Sequence, residues 1–144
     1  MHRYPHAMKV PRQSVFSKAW TNTDLPVREF LLLPVLPHKR YQQSLKAFDH
    51  SLYLLGAFDD DKLVGFVRCV GDGEHILLVQ DLIVDRAYQK QGIGTTLFKA
   101  VWDKYKEVRM FQVNTDLEDE VDNRFYISMG MKPLEKGHMI SYFR

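Results

Sequence analysis

A chain of 144 residues, 45% hydrophobic and 26% charged, carries enough apolar material for one folded domain, which excludes a disordered or low-complexity chain. Its net charge of +2 comes from 20 basic and 18 acidic side chains, a balance that argues against nucleic acid as the main partner. The single cysteine, Cys69, excludes an intrachain disulfide and gives no support to a thiolate metal site.

Residues 1–11 read as an N-terminal arm. Met1 to Lys9 is polar and aromatic without a period, which suits a loose or non-native extension, with Met8 as an alternative start. There is no apolar run of membrane-spanning length and no signal-peptide core at the N-terminus, so no membrane association is expected and the cytoplasm is the default address. Residues 12–144 are expected to form a single domain. Arg12 to Trp20 reads as a first strand, with Val15 and Trp20 as core candidates. Thr21 to Asp24 offers helix N-caps and Pro26 suits a first turn, so Leu25 to Leu33 is expected to be helical, ended by Pro34 and Pro37. His38 to His50 follows as a weakly amphipathic second helix carrying Leu45 and Phe48.

Ser51 to Phe58 and Leu63 to Val70 read as a hairpin around the Asp59-Asp60-Asp61-Lys62 turn. Three adjacent carboxylates invite a metal, but no further ligands are spaced for a cage, so a solvated hairpin tip is the better reading and no metal is expected. Gly71 to Gly73 is a second turn leading into an apolar strand, Ile76 to Val84. That strand is interrupted by Gln80-Asp81, the signature of a β-bulge or a cleft wall. Ile93, Leu97, Val101 and Tyr105, with Phe98 beside them, then mark one apolar face of a helix. Val108 to Asn114 is a fifth strand. Asp116 to Gly130 reads as a long helix with Val121, Phe125 and Met129 at four-residue spacing and Gly130 as its stop. Met131 to Leu134 and His138 to Phe143 are expected as short final strands around Lys136-Gly137. No motif near Cys69 supplies a base, so a buried thiol is expected there rather than a nucleophile.

The turn before the helix of Ile93 to Tyr105 is Gln89-Lys90-Gln91-Gly92-Ile93-Gly94. Glycines let the backbone approach a ligand, and the first N–H groups of a helix have no partner within it. With the positive end of the helix dipole they form a site for a phosphate or diphosphate. A dinucleotide fingerprint would need a third glycine at position 97 and a P-loop a Gly-Lys there, but that position is Leu97. What remains, Q-x-x-G-x-G between a strand and a helix, resembles the acyl-CoA pyrophosphate loop of the GNAT N-acetyltransferase superfamily. A second stretch, Asn123-Arg124-Phe125-Tyr126-Ile127-Ser128-Met129-Gly130-Met131, looks like that family's F-Y-x-x-x-G-F ending, with Met131 in place of the aromatic. The element order β-α-α-β-β-β-α-β-α-β-β also matches, so the resemblance covers roughly residues 12–144.

The resemblance implies an α/β fold of GNAT type: a central, mostly antiparallel sheet splayed between its fourth and fifth strands, with helices on both faces. It implies acetyl-CoA as acyl donor, gripped by Gln89, Lys90, Gln91, Gly92, Ile93, Gly94 and Thr95, with Arg86 and Lys90 adding positive charge. Backbone groups of Leu82, Ile83 and Val84 would hold the pantetheine arm as an added strand would, and a backbone N–H would polarise the thioester oxygen. Asn123 would meet the cofactor arm, or be a helix-surface amide. Tyr126 would contact the cofactor and protonate its leaving thiolate, or serve packing alone. An acceptor amine must lose a proton, and Asp81 is the first candidate for the base, with Glu29 and Glu74 as alternatives; a structural carboxylate at a bulge is the competing reading of Asp81. His75 and His138 read as surface or strand-edge residues.

The resulting expectation is an N-acetyltransferase that moves an acetyl group directly from acetyl-CoA to a primary amine of a small molecule, peptide or protein. The competing readings are a non-catalytic acyl-CoA-binding module and a different phosphate-ligand enzyme. The region Leu25 to Asp49 would set specificity, and a homodimer through the C-terminal strands would suit many relatives.

Overall fold

The computed structural model describes residues 38–144. The expected first strand and first helix, and with them Glu29, lie outside the described residues. Within them the order is helix α1 (His38–Asp49), strands β1 (Tyr53–Asp59), β2 (Lys62–Gly71) and β3 (Ile76–Val84), helix α2 (Ile93–Lys104), strand β4 (Met110–Val113) and helix α3 (Glu120–Ser128). Short 3-10 turns occupy Arg86–Tyr88 and Leu134–Gly137. The described residues form two compact units that divide after Val113.

The first unit is a sheet in the order β1-β2-β3-β4. Its first two pairings are antiparallel and the third is parallel. β1 and β2 are buried on both faces along most of their length, which explains their near-continuous apolar runs. Side chains alternate across a strand, so neighbours on β2 meet different helices. Phe66 lies against Phe48 of α1 with ring centroids 5.6 Å apart, in a core shared with Leu54, Phe58 and Leu63. Gly65, the residue before, faces Ile93 of α2. The two helices therefore cover opposite faces of the sheet. The four-residue period forecast for α2 holds: Ile93, Leu97, Phe98 and Val101 are buried, and Tyr105 caps the helix end with its N–H on the Val101 carbonyl.

The fourth and fifth strands of the expected order are β3 and β4. They pair only over Ile76–Val79 against Met110–Val113, and β3 continues five residues further without β4. A register shift after Arg68 puts Asp81 opposite Arg68 and Val79 opposite Cys69, leaving Gln80 as the extra residue of a bulge. The polar pair Gln80-Asp81 therefore marks the place where the sheet opens.

In the second unit two expectations are corrected. The helix starts at Glu120 rather than Asp116, because aspartates compete for backbone N–H groups there. Asp116 accepts from Glu118 N–H, and Asp119 is the actual N-cap, accepting from the N–H groups of Val121 and Asp122. Gly130, at φ 90°, ends the helix as forecast. The two final strands, Met131 to Leu134 and His138 to Phe143, are not formed. Local turns take their backbone groups instead: Lys136 N–H reaches Pro133 O, His138 N–H reaches Glu135 O and Met139 N–H reaches Leu134 O. Pro133 has no N–H to give a ladder, and His138, at φ 57°, breaks any extended run. Among the described residues no helix is long and apolar enough to cross a membrane.

Candidate active site

The site is built where β3 leaves β4. In an antiparallel pair, alternate residues exchange both hydrogen bonds with the partner, and the residues between them turn their N–H and C=O outward. Asp85 N–H bonds Val64 O at 2.8 Å, and Ile83 lies opposite Phe66, which sets the alternation. Ile83 thus directs its backbone groups to β2, while Leu82 and Val84 direct theirs to the side that β4 has vacated. The Gln89 side-chain amide donates to Val84 O at 3.2 Å, as that orientation requires. Of the three residues forecast as a backbone edge, Leu82 and Val84 form it and Ile83 belongs to the ladder.

Five residues after that edge, Gln89 to Thr95 turn into α2. Gly92 is the N-cap, at φ 83°, and no side chain caps the helix start. An added Cβ at Gly92 would meet nothing within 4 Å, so its left-handed backbone, not crowding, calls for glycine. Gly94 has only the Val84 methyl near its missing Cβ, at 3.7 Å. Among the described residues nothing further fills the space over these two glycines. Thr96 turns its hydroxyl back to Gly92 O at 2.8 Å and leaves the amides of Ile93, Gly94 and Thr95 to the outside. Lys90 is a second left-handed residue, at φ 60°. Lys90, Gln91 and Arg86 are exposed around the turn. An uncapped helix start beside an open strand edge fits a diphosphate joined to an amide-bearing arm.

Asp81 faces the α1 side of the sheet. Its Oδ2 accepts from Arg68 Nε at 2.5 Å. Arg68 is 8% exposed, lies over the Phe48 ring at 5.0 Å and donates to Ala47 O at 3.4 Å. One oxygen of Asp81 is therefore committed within the fold. Arg68 escaped the sequence reading; a lone cation inside Leu63 to Val70 was the signal, since a buried charge needs a partner on the next strand.

Asn123 and Tyr126 lie on α3 of the second unit. The Asn123 side-chain nitrogen donates to Asp116 O, Leu117 O and Asp119 O, pinning the turn that precedes the helix. Burial pushes the Tyr126 phenol up to about 12, with the Asp122 carboxylate adding to the rise, so the group is neutral at physiological pH. Val121 is exposed, while Phe125 and Met129 are half-buried. Glu74, His75 and His138 are exposed. Burial raises the Cys69 thiol to about 12, which removes it as a nucleophile. Asp59 of the acidic turn accepts from the Tyr88 hydroxyl at 2.8 Å, and no cluster of three metal-ligating side chains occurs among the described residues.

Residues 18–131 match the family model described as the acetyltransferase (GNAT) family. A GNAT-family acetyltransferase from Streptococcus pneumoniae TIGR4 is 33% identical, with a TM-score of 0.74 over 90% of this chain and 95% of its own. An uncharacterised, ycf52-like N-acetyltransferase of Prochlorococcus marinus is 26% identical over 133 residues, 90% of this chain and 73% of its own length. The aminoglycoside N-acetyltransferase AAC(6')-Iy, solved with CoA, shares the fold at 16% identity, with a TM-score of 0.69 over 94% of this chain and 97% of its own. Both the open strand edge and the uncapped helix start lie inside the matched segment, and the chain belongs to the GNAT family of acetyltransferases, acetyl-CoA-dependent N-acyltransferases.

Proposed function

We propose that residues 12–144 act as one acyltransferase domain that moves an acetyl group from acetyl-CoA directly to a primary amine of a small molecule or peptide. The observation that carries this reading is the outward-facing backbone of Leu82 and Val84 beside the uncapped start of α2. The amides of Ile93, Gly94 and Thr95 bind the diphosphate, with the Gln89 to Gly92 turn shaping their approach. Leu82 and Val84 bind the amide-bearing arm as a strand would. Acetyl-CoA, when bound, supplies an activated thioester carbonyl. An outward N–H of the same edge stabilises the charge that grows on the carbonyl oxygen as the amine attacks.

Asp81 takes the amine proton, directly or through water, by the oxygen that Arg68 does not hold. Tyr126 assists departure of the sulfur. A phenol raised to about 12 is always protonated when needed. Complete transfer to a thiolate of reference pKa about 8.5 runs uphill by roughly three units, so Tyr126 acts mainly as a hydrogen-bond donor to the developing charge. Asn123 meets the cofactor arm through Oδ1. Aminoglycosides, polyamines and peptide amines are the acceptor classes to test.

The test combines calorimetric titration of acetyl-CoA with thiol release from pooled amines. Wild type is expected to bind acetyl-CoA and to release thiol only with an amine present. Tyr126→Phe should lower kcat about tenfold to a hundredfold while acetyl-CoA binding stays within about threefold. Absence of binding at high micromolar acetyl-CoA would overturn the reading.

A further inference from the structure

The segment Asp85–Tyr88, which precedes the turn into α2, is held at both ends by the tip of the β1–β2 hairpin. Asp59 and Lys62 are the last pair of that hairpin. Asp59 Oδ2 accepts from the Tyr88 hydroxyl at 2.8 Å, and Lys62 Nζ lies 3.2 Å from Asp85 Oδ2. The same ammonium sits 4.9 Å from the centre of the Tyr88 ring. Asp85 uses its other oxygen to accept from Ala87 N–H, which starts the 3-10 turn, and its own N–H is bonded to Val64 O. Each end of the Asp85–Tyr88 segment is thus tied to the hairpin by a side chain. Gln89, the next residue, ties the strand edge to the turn.

These contacts have no bearing on the core, because Tyr88, Asp59, Lys62 and Asp85 all lie at least partly in solvent. Their common effect is on the position of the diphosphate turn. Two left-handed residues, Lys90 and Gly92, follow directly. A short turn with such dihedrals loses considerable conformational freedom on ordering, and a ligand that must order it binds more weakly than one that meets it preformed. We propose that the hairpin tip is a clamp that preorganises the acetyl-CoA diphosphate turn, with Asp59, Lys62, Asp85 and Tyr88 as positioning residues that do not touch the cofactor.

This inference rests on the acetyl-CoA reading above, and its test separates the two. Acetyl-CoA affinity is measured by calorimetry for wild type, Tyr88→Phe, Asp59→Ala, the double variant, Lys62→Met and Lys62→Arg, with thermal unfolding as a control. Loss of one tie should weaken binding about three- to tenfold. Unfolding temperature should hold within a few degrees, since the ties are exposed. The double variant should bind no worse than its weaker single, because both remove one bond. Lys62→Arg should restore most of what Lys62→Met loses. In the weakened variants the amides of residues 89–94 should exchange faster in the absence of ligand, a readout independent of affinity. Wild-type affinity in all variants, with unchanged exchange, would overturn the clamp and leave the acetyl-CoA reading standing. Failure of wild type to bind acetyl-CoA would remove that reading and the clamp with it. Should Tyr88→Phe not fold, Asp59→Ala removes the same bond from the other side.

Discussion

Ile76–Val79 and Leu82–Val84, the apolar runs at the two ends of β3, have opposite fates. Leu77–Val79 pairs on both sides, with β2 and with β4, and Leu77 and Val79 are buried. Gln80–Val84 is bonded to β2 alone, and Ile83 is 41% exposed. In the first half Leu77 and Val79 belong to the core, although Ile76 at its start is 42% exposed. The second is an edge whose spare backbone groups are presented next to a helix start that also lacks partners. Backbone pairing, not side-chain hydrophobicity, decides which half has backbone groups to spare. One inserted residue, Gln80, separates the two.

The comparison can be broken most severely at the turn that starts the buried half. Gly71 has φ 133°, and a Cβ there would sit 2.2 Å from Ile76 O. Gly71→Ala should cost about 4 kcal/mol or more, read by chemical denaturation, through strain and backbone overlap together. A sharper version sets one residue of each half side by side. Leu77→Ala, at a fully buried site, should lose about 2–5 kcal/mol, whereas Ile83→Ala should lose under about 1 kcal/mol.

The smallest effect is a pH dependence at the same turn. The Asp72 carboxylate accepts from the N–H groups of Ile76, Glu74 and His75, which hold its pKa below the ordinary aspartate value. A depressed folded-state value means that the group adds stability above its unfolded pKa, near 3.9, and loses it as pH falls through the folded value. Asp72→Ala should therefore be less stable than wild type at pH 7, with the gap closing in acid below about pH 4. A gap that is the same at pH 7 and in strong acid would show that the carboxylate charge is not what these amides hold.

Much of this was legible from residue patterns. The period of α2, the hairpin around Asp59 to Lys62 and the bulge at Gln80-Asp81 each follow from a local rule, and each is present. The glycine turn that opens α2 was readable because glycine, helix start and preceding strand occur together. Long-range pairing was not. Arg68 and Asp81 are thirteen positions apart, and only the register of β2 on β3 makes them partners. The final strands failed for a related reason: alternation in a sequence cannot tell whether a partner strand will be present, and local turns captured those groups. Asn123 illustrates the limit at a single side chain, since its spacing from Tyr126 suggested a ligand contact while its amide nitrogen holds the 116–119 turn.

Amide hydrogen exchange along β3, with and without saturating acetyl-CoA, tests the central claim most directly. In the free protein the N–H groups of Leu82 and Val84 should exchange quickly and those of Leu77 and Val79 slowly; acetyl-CoA should slow Leu82 and Val84, together with Ile93, Gly94 and Thr95, and leave Leu77 and Val79 unchanged. Equal protection of both halves before ligand, or no slowing at Leu82 and Val84 after it, would contradict the account.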